Sequence, residues 1–105
     1  MTTPTDTNRD LVTVIATLKA KAGMEDQLRA ALSSLIEPSK ADEGNVNYDL
    51  YESRDQPGVF YFYENWESAE LLGKHMQAPH MAEALGAAAQ VLAEPPTIAQ
   101  LKRIA

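Results

Sequence analysis

Residues 45–66 read NVNYDLYESRDQPGVFYFYENW, and this stretch decides the fold. Asn45 to Arg54 alternates. Val46, Tyr48 and Leu50 fall on one face and Asn47, Asp49 and Tyr51 on the other, as in a strand with one apolar side. Asp55-Gln56-Pro57-Gly58 is a turn, because Pro57 fixes φ and Gly58 reaches positive φ without steric cost. Val59 to Tyr63 then runs aromatic on both faces. Two strands joined by such a turn make a β-hairpin.

Upstream, Leu11 to Ala20 opens with the β-branched run LVTVIATL, apolar on both faces, so this strand must be covered on both. Lys19, Lys21 and Gly23 close it. From Met24 the period changes: Met24, Leu28, Ala31, Leu32, Leu35 and Ile36 follow the spacing of an amphipathic helix. Glu25 and Asp26 sit in its first turn, where carboxylates favour the positive end of the helix dipole. Pro38 bends or stops it, and Asp42-Glu43-Gly44 is a loop. Downstream of the hairpin, Ser68 caps a short helix over Ala69 to Met76. After Pro79, an alanine-rich helix from about His80 to Leu92 places Met81, Leu85, Ala88 and Leu92 on one side. Glu94-Pro95-Pro96 ends it, and Thr97 to Ile104 reads as the last strand.

The order β-α-β-β-α-β is the ferredoxin-like arrangement of the α+β class: one four-stranded antiparallel sheet with helices on one face. The first and third strands are apolar on both sides, so the bare face is expected to be covered by a second copy, making a homodimer.

The chain of 105 residues is the size of one domain. That domain is expected over 11–105, after a disordered Thr/Pro/Asp-rich tail over 1–10 that is neither signal peptide nor membrane span. A cytoplasmic location is expected. A net charge of −6 argues against a nucleic-acid partner. The absence of cysteine excludes disulfides, thiolate metal sites and cysteine nucleophiles.

His75 and His80 are the only histidines, hence the only groups whose ordinary pKa lies near neutrality. Either can take a phenolic proton as general base, leaving an electron-rich phenolate. Glu64 can orient a histidine or a substrate hydroxyl, and Trp66, Phe62 and the tyrosines, Tyr51 among them, can wall a planar ring. Each residue also has a structural reading. Trp66 packs at a strand–helix junction, Glu64 is paired or at a wet edge, and His75 shares a helical face with Leu71 and Leu72. His80 starts a helix, and Asn47 is an edge residue. A metal site is not supported, because His75 and His80 are separated by five positions with Pro79 between them. No glycine-rich phosphate loop and no nucleophile elbow occur.

The set Glu64-Asn65-Trp66, Ser68, Glu70, Leu71, Leu72, His75 and Pro79-His80, with Leu11 to Ala16, Gly23, Gly44, Tyr48 and Leu50 upstream, resembles the antibiotic biosynthesis monooxygenase domain. His75 to Met81 is similar to its quinol monooxygenase-like branch. The resemblance implies a dimeric α/β barrel with a pocket between sheet and helices. It also implies that a small quinol or polyphenol meets O2 there without metal or organic cofactor. On this reading His75 is the base, supported by Glu64 and Trp66, with His80, Asn47, Tyr51 and Phe62 around the substrate. A non-oxidative isomerase and a binding or stress-response module without turnover stay open. Haem-degrading relatives use an asparagine, a tryptophan and a histidine where this chain has Ala16, His75 and Leu85, which argues against haem degradation.

Overall fold

A computed structural model describes residues 10–105, so the tail expected over 1–10 lies outside the described residues apart from Asp10, an exposed turn residue. The elements are β1 (Val12–Lys19), α1 (Glu25–Ser33), α2 (Ile36–Lys40), β2 (Asn45–Glu52), β3 (Val59–Trp66), α3 (Ala69–Met76), α4 (Pro79–Ala89) and β4 (Thr97–Leu101). The four strands form one antiparallel sheet in the order β2-β3-β1-β4. This is the ferredoxin-like α+β architecture the sequence called for. No helix among the described residues is long and apolar enough to cross a membrane.

The hairpin closes as expected. Gly58 adopts φ 90°, its N–H donates to Glu52 Oε2 at 3.0 Å, and a Cβ there would stand 2.8 Å from Glu25 Cγ. Arg29 of α1 donates from Nη2 to both oxygens of Glu52 at 2.9 Å, tying the first helix to the hairpin.

Several boundaries differ from the sequence reading, each for a local reason. The first helix does not run unbroken from Met24 to Ile36; it ends at Ser33, and Ile36–Lys40 forms a separate short helix. Pro38 sits in the first turn of that helix, where its missing N–H costs nothing, so it neither bends nor stops the chain. The later helix starts at Pro79, the favoured first position for proline, and ends at Ala89 rather than near Leu92. The residues after it pair with the end of β1 instead: Lys21 N–H donates to Val91 O and Ala93 N–H to Lys19 O, both at 2.8 Å. In β2, Val46 does not share a face with Tyr48 and Leu50. A bulge between Asn45 and Asn47 turns it out, and it is 52% exposed.

The inner sheet face carries Val14, Ala16, Leu18, Tyr48, Phe60, Phe62 and Trp66, packed against Leu28, Leu32 and Leu35 and against Leu72, Met81 and Ala88. Each large apolar side chain buried there contributes about 1.5–3 kcal/mol. The outer face carries Asn47, Tyr51, Tyr61, Tyr63 and Asn65. Thr13 joins them there, donating its hydroxyl to Asn65 Oδ1.

Candidate functional site

Strand alternation builds one end of the site. Because successive side chains of β3 point to opposite faces, Phe62, Glu64 and Trp66 all turn inward beneath the helices. Register places Glu64 between Val14 of β1 and Tyr48 of β2. Trp66 is fully buried, and its indole N–H donates to Glu64 Oε1 at 2.9 Å. A turn then leads into α3, where Ser68 Oγ accepts from Leu71 N–H at 3.2 Å and fixes the phase of the helix. That phase sends Leu72 and His75 inward.

Close approach of α3 to the sheet also requires Gly44. It has φ 84°, and a Cβ there would stand 2.8 Å from Leu71 Cβ. Its carbonyl accepts from Glu67 N–H at 2.9 Å.

A cavity of about 220 Å³ opens between the inner sheet face and α1, α3 and α4. Tyr48, Phe62 and Glu64 line it together with Val14, Ala16 and Leu72, while Met76, Leu85 and Ile98 are its partly exposed apolar members. A cavity of about 150 Å³ suffices for benzene, so a small aromatic molecule fits. Glu64 is the acid on this wall, and burial pushes its carboxyl up to about 7, against the opposing pull of the Trp66 N–H. Burial also pushes the Tyr48 phenol up, with the Glu64 carboxylate adding to the effect, so Tyr48 stays protonated at neutral pH.

His75 lies on the other side of Trp66. Its ring stacks 4.5 Å from the indole at 33° and stands 5.3 Å from the Tyr48 ring. Asp42, in the loop between α2 and β2, receives two hydrogen bonds on one oxygen: His75 Nδ1–H and His80 Nε2–H each donate to Oδ2 at 2.8 Å. An ionised carboxylate only accepts, which places the protons on those nitrogens. His75 is 2% exposed, and burial, the largest influence, lowers its pKa, so the ring is neutral. Its Nε2 is buried without a partner.

The structure therefore separates the residues that the sequence grouped. Glu64 and Phe62 reach the cavity wall. Trp66 holds Glu64 from behind, and His75 and His80 meet at Asp42. Tyr51 lies on the outer sheet face, 57% exposed. Asn47 lies there too, accepting from Asn65 Nδ2 at 2.8 Å and donating to Tyr63 O at 3.2 Å. Neither is near the cavity. The alternation that set Asn47, Asp49 and Tyr51 opposite Tyr48 already contained this result. Tyr48, by contrast, does reach the cavity, brought there by its pairing with Glu64 across the hairpin. Asp42 was missed because its partners are 33 and 38 residues away. Of the positions compared with haem-degrading relatives, Ala16 and Leu85 line the cavity as apolar groups.

The family description "Antibiotic biosynthesis monooxygenase" matches residues 11–87. The chain belongs to the antibiotic biosynthesis monooxygenase family. Three relatives show how it stands beside other proteins. It is 32% identical over 90 residues to a Mycobacterium tuberculosis protein named "Putative monooxygenase", covering 86% of this chain and 88% of the relative. A crystal structure of a Pseudomonas aeruginosa protein superposes with TM-score 0.86 at 31% identity, over 93% of this chain and 98% of that one. An uncharacterized Synechocystis protein is 29% identical over 89 residues, which are 85% of this chain but 60% of that protein's length. Membership in the antibiotic biosynthesis monooxygenase family gives the chain a monooxygenase-like character; its own geometry has to say which residues do the chemistry.

Proposed function

We propose that the chain is a monooxygenase that oxidises a small quinol or polyphenol with O2, and that Glu64 takes the phenolic proton. The observation that carries this reading is one buried carboxyl, with its pKa raised to about 7, on the wall of an otherwise largely apolar cavity. A general base works best when its pKa lies near the operating pH. The carboxylate removes the hydroxyl proton, and the phenolate passes an electron to O2. The radical pair joins at a ring carbon, and loss of water from the peroxide leaves the new ring oxygen. Quinol plus O2 becomes hydroxyquinone plus water. The ring supplies all four electrons, so no external reductant enters. Tyr48, held protonated, can donate a hydrogen bond to the oxygen that carries negative charge.

His75 is not the base in this reading: its protonated nitrogen is engaged by Asp42, its ring packs on Trp66, and it does not line the cavity. The apolar lining also weighs against an isomerase of a sugar-like metabolite. The exposed outer-face residues Tyr51, Tyr61 and Tyr63 favour pairing of two copies through the sheet.

The test is O2 uptake with menadiol-type quinols, with product mass read after reaction in 18O2. Turnover above autoxidation that inserts one labelled oxygen supports the proposal. Saturable binding without turnover would make the chain a binding module, and release of hydrogen peroxide with unlabelled quinone would make it an oxidase.

A further inference from the structure

Among the described residues, Asp42, His75 and His80 are a group of potential metal ligands that the cavity chemistry does not use. We propose that these three side chains bind one borderline divalent cation of the Zn2+ class. Their ligand atoms all lie within 4.8 Å of one another, and both nitrogen-to-oxygen separations are 2.8 Å. Ligands bonded to one tetrahedral Zn2+ at about 2.0–2.2 Å stand roughly 3.3–3.6 Å apart. Two edges of the coordination triangle therefore need open by roughly 0.5–0.8 Å, a shift within the reach of side-chain rotation.

The donor set fits that ion class. Two imidazole nitrogens and one carboxylate oxygen suit Zn2+ and its transition-metal neighbours, leaving a further position for water. Mg2+ and Ca2+ prefer all-oxygen surroundings. Coordination exchanges tautomers: His75 moves its proton from Nδ1 to Nε2, the atom now buried without a partner, and His80 moves its proton from Nε2 to Nδ1.

Placement and access support the same site. His75 comes from the last turn of α3 and His80 is the second residue of α4, so both are fixed by helices. The Asp42 loop is held by Asp42 N–H to Ser39 O at 3.1 Å and Asn45 N–H to Asp42 O at 3.2 Å. The Asp42 and His80 side chains are 23% and 22% exposed, which leaves an approach from solvent. Among the described residues no lysine or arginine pairs with Asp42, and Glu43 beside it adds negative charge; the nearby Lys74 is 4.0 Å from Glu43. The sequence argument against a metal assumed that two histidines must share a helix face. Asp42 removes that requirement by meeting them across the α3–α4 junction. The site adjoins the cavity wall at Tyr48, whose ring stands 5.3 Å from that of His75, but none of its three ligands lines the cavity, so the inference does not depend on the oxygenation chemistry.

The test uses the full chain stripped of metal and titrated with Zn2+, Co2+ or Mg2+ alone. Calorimetry gives affinity, native mass spectrometry gives stoichiometry, and the visible bands of Co2+ report its coordination. One Zn2+ per chain, Co2+ bands of a site with fewer than six ligands, a raised Tm and no Mg2+ binding are expected. Loss of an outer-shell partner weakens metal binding about 10–100-fold, so His80→Ala and Asp42→Asn, which remove ligands, should weaken it at least as much. Glu64→Gln, on the far side of Trp66, should keep the affinity. Failure of the wild-type chain to bind Zn2+ one to one overturns the proposal. So does Zn2+ binding that survives both ligand variants, or Mg2+ binding of equal strength.

Discussion

Trp66 divides two buried polar regions that sequence alone placed together. On one side Glu64 has an indole N–H and faces a cavity; on the other His75 has a carboxylate and faces none. Burial dominates the shift of both groups, raising the acid and lowering the base, so both tend to neutrality. The difference is access. Chemistry needs a perturbed group that a substrate can reach, and of these two only Glu64 meets both conditions. His75 is perturbed in the same sense, but its environment is a packed one.

Substitution on the cavity side should have the largest effect on activity. Glu64→Gln keeps the size and the bond from Trp66 but loses the base, so kcat/KM should fall about 10²–10⁴-fold. Steady-state O2 consumption reads this, with Tm as the control for folding. On the other side, His75→Ala should be costly to stability instead. It opens a void against Trp66 and leaves Asp42 one hydrogen bond short, for a loss of about 2–4 kcal/mol by urea unfolding.

How much of this was legible follows the range of each interaction. The hairpin, the Ser68 cap and the inward set Phe62, Glu64 and Trp66 are local, written in period-two alternation and turn chemistry within a few residues. Ferredoxin-like topology followed from the element order. The Val46 bulge was not legible, because alternation assumes an unbroken ladder. Nor was the role of Asp42, an ordinary loop acid until tertiary folding brings two histidines to it. Intrinsic pKa points to His75 and His80 alike, and the family resemblance to His75; both arguments ignore access. Glu64 has a lower intrinsic pKa, and only its depth in the sheet raises it.

A third prediction uses the opposite pH dependence of stability and activity at Glu64. Its folded pKa, about 7, exceeds that of the unfolded chain, so the folded state binds the proton more tightly between the two values. That stabilisation is fully present below the unfolded value, near pH 4.3, and is lost as pH rises through 7. Its size is at most about 4 kcal/mol. Thermal unfolding followed from pH 5 to 8 should show wild-type stability declining relative to Glu64→Gln. Activity should rise over the same range as the carboxylate forms.

The smallest effect belongs to the outer sheet face. Asn47→Ala and Tyr51→Ser should leave kcat unchanged within about twofold, since neither side chain touches the cavity. They should instead weaken any pairing of copies, read as a concentration-dependent mass by light scattering. A large loss of kcat at protein concentrations where the mass is unchanged would move part of the site to that face.

The most direct test of the central claim is the pH dependence of kcat/KM for quinol oxidation, measured in parallel for wild type and Glu64→Gln. The account predicts a wild-type rate that rises with pH to a plateau, with a midpoint near 7, and the loss of that titration in Glu64→Gln. A Glu64→Gln profile that keeps both the midpoint and the plateau of wild type would contradict it and show that another group takes the proton.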